Sequence, residues 1–399
     1  MKAKTLWLLM SAAWLPAETG DWTQYRGPNR DGISAETGLR RSWEQNGPKE
    51  LWRVPIGEGF SSISVVGDRI FTMDADKEKE YVLCADTRTG ETRWRTPVDE
   101  LFTNNFGDGP RATPTIDGTI VYVQASKGNL AALNRENGEI LWQKDLKEFG
   151  GAIPQWAFCA SPLVVDDQLI VVAGGTEGRY LVSFNKHNGE VLWTGLNAEQ
   201  AYGSPIEIEV HGIRQLVVLA KEGLAGLTLD GKELWRSPFS TELGIKPAPP
   251  VLVGTDKILV SASYDAGAKL VRLKGEGDNV VAEDLWEEKI MNNHFNGCVA
   301  QGDFVFGFHK ATFKCLNAVT RDQAWAKRGL GKGSLIMGDG LLFVLSERGL
   351  LVLVEANTQE YKELGSVQVL KGRCWTQPSL ADGVLYVRNA EEMVALQAK

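Results

Sequence analysis

The sequence predicts an all-β fold, an eight-bladed β-propeller of four-stranded antiparallel blades. Three observations carry this. A turn followed by a short strand with Trp recurs along the chain. Between copies there are short β-rich runs and no helical period. The two ends of the chain hold complementary fragments of one further repeat. The recurring stretch reads Asn137-Gly138-Glu139-Ile140-Leu141-Trp142, and returns as Thr89–Trp94, Asn188–Trp193 and Asp230–Trp235. Degenerate copies end at Trp286 and Trp325, and a bare Glu50-Leu51-Trp52 lies near the start. A copy every ~40–50 residues marks a propeller or solenoid array.

Each repeat is read as four strands. In the second, Thr113-Pro114-Thr115-Ile116 opens and Asp117-Gly118 turns; Ile120–Ala125 and Leu130–Asn134 follow, and Asn137-Gly138 makes the hairpin before Ile140-Leu141-Trp142. Asn and Gly accept the left-handed conformations of tight hairpins, and the β-branched runs suit strands. The same unit runs Phe60–Trp94, Ala160–Trp193, Gly203–Trp235, Ala248–Trp286 (with an insertion at Gly275–Asn279), Gly297–Trp325, and Gly333 to about Leu364, where the Trp slot is lost. The eighth copy, Thr376–Gln397, has three strands and no fourth. Glu50-Leu51-Trp52 has a fourth strand and no preceding three. Ring closure resolves both, and it removes the open edge of a linear stack. Residues 18–399 are therefore read as one domain, with 18–48 as an N-terminal strap whose Trp22 and Tyr25 pack on the outside.

A blade cannot bury its own faces and must pack on its neighbours. Trp52, Trp94, Trp142, Trp193, Trp235, Trp286 and Trp325 are accordingly read as structural docking residues between blades. The glycine of each turn leaves room for a neighbouring indole.

Lys2 and Lys4, the apolar run Leu6–Leu15 and the small-residue end Pro16-Ala17 read as a signal peptide over residues 1–17. The run is too short to span a bilayer, so no transmembrane segment is expected. The protein is placed in the periplasm or secreted, and no Cys follows the run to carry a lipid. Net charge is −8 without a basic cluster, which argues against nucleic acid as a partner. The five cysteines, Cys84, Cys159, Cys298, Cys315 and Cys374, are odd in number and dispersed, and read as buried thiols. No metal-ligand spacing is present, so no metal is expected. Gly329–Ser334 looks superficially like a phosphate loop, but it lies between blades rather than between a strand and a helix.

The pattern Cys84-x-Asp86-x-x-Thr89-Gly90-x-x-x-Trp94, echoed by Ala132-x-Asn134-x-x-Asn137-Gly138-x-x-x-Trp142, resembles the tryptophan-docking repeat of the PQQ-binding-like, quinoprotein-type propellers. The opening Asp21–Gly32 looks like the start of exported members of that group. The fold is similar to that of the propeller component of the outer-membrane β-barrel assembly machinery. In the enzymes of this group the resemblance implies PQQ held with Ca²⁺, a catalytic Asp and usually a disulfide of adjacent cysteines. This chain lacks the adjacent pair, and no calcium set is recognisable, so no cofactor and no catalytic residue are assigned.

Loops on a rigid scaffold are where function is placed. The loops entering each blade gather at one mouth of the ring, and they hold Phe60, Asn105, Arg111, Trp156, Phe158, Tyr202, Lys246, His294, Asn296 and Trp375. This aromatic, amide-rich set with two cations suits an extended peptide, a glycan or a flat ring compound. The reading is a monomeric, exported, non-catalytic binding or scaffold protein with a protein or glycan partner. The alternatives are a divergent PQQ-dependent alcohol or sugar dehydrogenase and a component of outer-membrane protein assembly.

Overall fold

The computed structural model describes residues 20–43, 47–276 and 279–399; the signal-peptide reading lies outside them. Eight sheets, each of four antiparallel strands and one joined by a fifth, parallel strand from the strap, follow one another in chain order. Blade 1 is Ser64–Val66, Arg69–Ala75, Lys79–Asp86 and Thr92–Glu100. Blade 8 is Ser379–Ala381, Val384–Arg388, Glu392–Gln397 and, as its outermost strand, Glu50–Pro55. Trp52 pairs with Ala395, so the chain's beginning closes the ring against its end.

The tryptophans show why the repeat is spaced as it is. Trp94 pairs with Cys84, Trp142 with Ala132, Trp193 with Ser183, Trp286 with Leu270 and Trp325 with Cys315, always next to a register shift. A β-bulge adds one residue to a strand and re-aims its neighbour. Here the extra residue is the one before Trp. That explains why Leu51, Leu141 and Leu192 lie exposed beside indoles that face the next blade. Indole N–H groups of Trp52, Trp94, Trp142, Trp193, Trp286 and Trp325 donate to carbonyls of Thr87, Arg135, Lys186, Leu229, Ala318 and Asn357 in the following blade, at 2.6–3.1 Å. Under Trp52, Trp94, Trp142 and Trp193 lies the turn glycine of that blade. A Cβ on Gly90 would come within 2.8 Å of Trp52, and one on Gly189 within 2.8 Å of Trp142.

Two blades depart from this. Trp235 donates to Gln215 Oε1 of its own blade, 2.7 Å away. In blade 7 the slot opposite Leu353 is Gly365 rather than Leu364, and the indole of Trp43, from the strap, lies against it. The strands also continue past their tryptophans: the outer strand of blade 2, Ile140–Asp145, runs three residues beyond Trp142.

The strap is not on the outside. Trp22 is 1 % exposed and pairs with Val65 in the inner strand of blade 1. The chain then crosses the axis. Arg30 donates to the carbonyls of Ser161, Pro162 and Pro205 and to Thr115 Oγ1, in blades 2, 3 and 4. Arg26 donates to the Cys298 carbonyl beside blade 6. Ile33–Ser34 leaves by pairing in parallel with Met337–Gly338 of blade 7. Only a segment lying on the axis can reach the inner strands of so many blades.

Candidate functional site

The inner strands are approached by short segments of small hydroxyl residues, often followed by proline: Thr113-Pro114, Ser161-Pro162, Ser204-Pro205. Proline has no N–H, so the ring is bonded through its neighbours. The Gln377 N–H donates to Ser62 Oγ, Ser62 N–H to Thr113 Oγ1, Thr113 N–H to Ser161 Oγ, and Ser161 N–H to Ser204 Oγ. This girdle of hydroxyls links blades 8, 1, 2, 3 and 4 around the axis.

Above the girdle the entry loops form a funnel of about 250 Å³. Its wall carries Phe60, Phe106, Trp156, Tyr202, Tyr264, Phe295 and Trp375, and its floor is Tyr25 of the strap. Trp156 meets Tyr202 edge-on, with centroids 5.6 Å apart. Phe295 and Trp375 lie 4.9 Å apart, and Phe60 and Trp375 5.5 Å. Rings locked against one another in this way present flat, rigid apolar faces.

Seven of the ten expected residues line this funnel: Phe60, Arg111, Trp156, Tyr202, His294, Asn296 and Trp375. Three do not. Phe158 is fully buried in the seam between blades 2 and 3, over Gly128. Lys246 is equally buried. Its ammonium donates to the carbonyls of Ala220 and Lys221, and burial lowers its pKa to about 8. Asn105 stays exposed on the rim. The backbone decides these placements: Ala157 and Tyr202 hold positive φ angles of 72° and 78°, which turn the loops so that Trp156 faces the axis while Phe158 is directed into the core. Sequence reasoning missed Tyr25, Tyr264, Cys159 and the girdle. The girdle had a signal, the recurrence of Ser/Thr before Pro at equivalent points of successive repeats. Cys159 departs from the reading of all five cysteines as buried: it is partly exposed on the funnel wall, and burial of its thiol group still pushes the pKa up to about 12.

The charge pattern is one-sided. No Asp or Glu lines the funnel. Arg111 does, donating to the carbonyls of Gly107 and Gly109 and lying over the rings of Phe60 and Phe102. Beneath the floor, Arg26 and Arg30 are held by carbonyls, and neither forms an ion pair among the described residues. Desolvation pulls Arg30 down to about 9. His294 is drawn down to about 4, by burial first and by Lys332 second, so its ring is neutral near pH 7. Three buried polar atoms on the wall lack partners: His294 Nδ1, Asn296 Nδ2 and Trp375 Nε1. Behind the wall, burial raises Glu80 to about 7 even though Ser126 N–H donates to it.

A calcium-bound quinone requires hard oxygen ligands, chiefly carboxylates. The funnel wall offers no carboxylate, and among the described residues no three His, Cys, Asp or Glu side chains are grouped to hold a metal ion. The donor set does not fit that group, and no step is routed through it.

A family model described as outer membrane protein assembly factor BamB matches residues 39–154 and 147–327. BamB of Burkholderia pseudomallei is 25% identical over 235 residues, which is 55% of this chain and 55% of that protein. The quinoprotein alcohol dehydrogenase PedH of Pseudomonas putida is 28% identical over 169 residues, 39% of this chain and 26% of that protein. The chain thus spans about half the length, or less, of these curated relatives. The crystal structure of BamB from Moraxella catarrhalis superposes with a TM-score of 0.62 at 13% identity, over 88% of this chain and 99% of that one, a likeness of fold alone.

Proposed function

The chain belongs to the propeller family described as outer membrane protein assembly factor BamB, and we propose that it is an exported, non-catalytic binding protein whose ligand sits in the axial funnel. One observation carries the reading. The funnel combines rigid aromatic faces with buried, unpartnered polar atoms, and no carboxylate lines it. Leaving a buried donor or acceptor unsatisfied costs about 1–3 kcal/mol. Three at one surface are best explained by a ligand that satisfies them. Placement in the periplasm or outside the cell rests on the Lys2–Ala17 segment; N-terminal sequencing of the exported protein should begin at Glu18.

The competing reading, a quinone-dependent dehydrogenase as in the relative PedH, is tested directly. Purified protein is supplied with PQQ and Ca²⁺ and offered alcohols or sugars with a redox dye. Substrate-dependent dye reduction would overturn the proposal. The expected result is no turnover, together with hits in a thermal-shift screen of metabolites and glycans. Those hits should quench Trp fluorescence and disappear in a Trp156→Ala/Trp375→Ala variant.

A further inference from the structure

The geometry points to the class of ligand: a carboxylate carried on a flat apolar body, bound without a metal ion. This rests on the funnel being a binding site and adds which chemistry it selects.

Trp375 Nε1 and Asn296 Nδ2 are buried at the wall with nothing to donate to, and Asn296 is only 8 % exposed. The hydroxyls of Ser62, Thr113, Ser161 and Ser204 already accept a backbone N–H each, and none of the four donates to a protein atom among the described residues. A hydroxyl has one hydrogen to give and two lone pairs, so these four present their hydrogens to the funnel. Arg111 spends two of its five N–H groups on the Gly107 and Gly109 carbonyls, leaving the others. Donors therefore line the site with few acceptors opposite them.

The charges have the same sense. Arg111 is on the wall, Arg26 and Arg30 lie beneath Tyr25, and Arg373 stacks over the outer face of Trp375 at 4.4 Å. The carboxylates near enough to be felt are Glu80 and Asp108, at Arg111, Asp31, at Arg26, and Glu347, at His294, where Lys332 opposes it. None of these carboxylates lines the funnel. In a chain of net charge −8 this is a locally positive cup. A cup of one sign with low-dielectric walls concentrates ions of the other. A neutral sugar would bring one hydrogen to donate with every hydroxyl, against few acceptors to take it. A carboxylate brings acceptors only. The remaining surface is aromatic, which suits an apolar body.

The test uses the whole protein and isothermal titration with 3-phenylpropionate and with its amide, which keeps the shape and loses the charge. The acid is expected to bind at least tenfold tighter, with affinity unchanged by EDTA. Trp375→Phe, which keeps a ring and removes the N–H, is expected to weaken the acid about fivefold and the amide little, with its melting temperature retained. Arg111→Gln is expected to abolish the preference for the acid. N-acetylphenylalanine tells the two sources apart: tighter binding than the free acid identifies a peptide carboxyl end, and weaker binding a small metabolite. Equal affinity for acid and amide, or binding only with added Ca²⁺, would overturn the selectivity while leaving a binding funnel. No binding of either compound at millimolar concentration, together with an empty ligand screen, would remove the funnel reading itself.

Discussion

Replacing Trp52 by Ala tests whether the ring is closed by its first strand. Trp52 is 9 % exposed, lies 6.0 Å from Tyr386, covers Gly90 and donates to the Thr87 carbonyl at 2.8 Å. Truncating a buried Trp costs about 3–5 kcal/mol, and the lost hydrogen bond is worth about 1 kcal/mol of that order. At an unfolding entropy of about 2.1 cal/mol/K per residue, about 4 kcal/mol lowers the melting temperature of a chain this long by about 5 °C if the ring melts as a unit. The neighbouring Leu51 is the exposed, bulged residue, and Leu51→Ala should stay within about 0.5 kcal/mol. Trp52→Phe should fall between the two. Calorimetry measures the shift. Hydrogen exchange locates it, with amides of Glu392–Gln397 losing protection first in Trp52→Ala, since that strand pairs with Glu50–Pro55. Deleting Leu51-Trp52 should likewise cost more than deleting residues 1–19. If Trp52→Ala and Leu51→Ala melted within 1 °C of each other, the clasp would be refuted.

Two further outcomes are expected. Gly189→Ala places a Cβ against the Trp142 ring at a φ of 71°, whereas Gly212→Ala meets the same backbone cost at 74° with nothing within 4 Å; denaturant titration should show about 1 kcal/mol for Gly212→Ala and at least twice that for Gly189→Ala. Burial raises Glu80 to about 7 from 4.5, so the folded state holds its proton longer than the unfolded chain does. Its burial penalty is absent below about pH 4.5 and is incurred as pH rises to about 7, by about 3 kcal/mol at most. Glu80→Gln should flatten the fall in stability across that window, and an unchanged profile would remove Glu80 as its source.

The blades were legible because their determinants are local and repeated. Asn137-Gly138 specifies a hairpin wherever it occurs, and the Trp that follows specifies which face meets the next blade. The two-ended clasp at Trp52 was legible by subtraction. The strap was not. Arg26 and Arg30 sit in a polar, turn-rich stretch, and buried arginines are rare enough that such a stretch reads as surface. What draws them inward is the set of carbonyls left over where inner strands of different blades converge, a feature of the assembled ring that no segment carries alone. Trp43 is similar: it replaces an indole that blade 7 lacks, from more than 300 residues away. Among the funnel residues, loop membership was readable. Side-chain direction was not, because positive φ at Ala157 and Tyr202 divides neighbours such as Trp156 and Phe158 between the axis and the core.

The strap also sets which way the molecule faces. Gly20 accepts a hydrogen bond from Asp382, and Lys399 donates to Gly383, so both ends of the described chain meet at one turn of blade 8, between Ala381 and Val384. Inner strands begin at the funnel and finish at such turns, so this turn lies on the opposite side of the disc. An attachment made through Lys399, whether a fusion partner or a sensor surface, leaves the funnel pointing away into solution. Ligand capture by an immobilised chain is therefore free of the shielding that a tether beside the mouth would impose, and doubling the tether length should leave the on-rate unchanged.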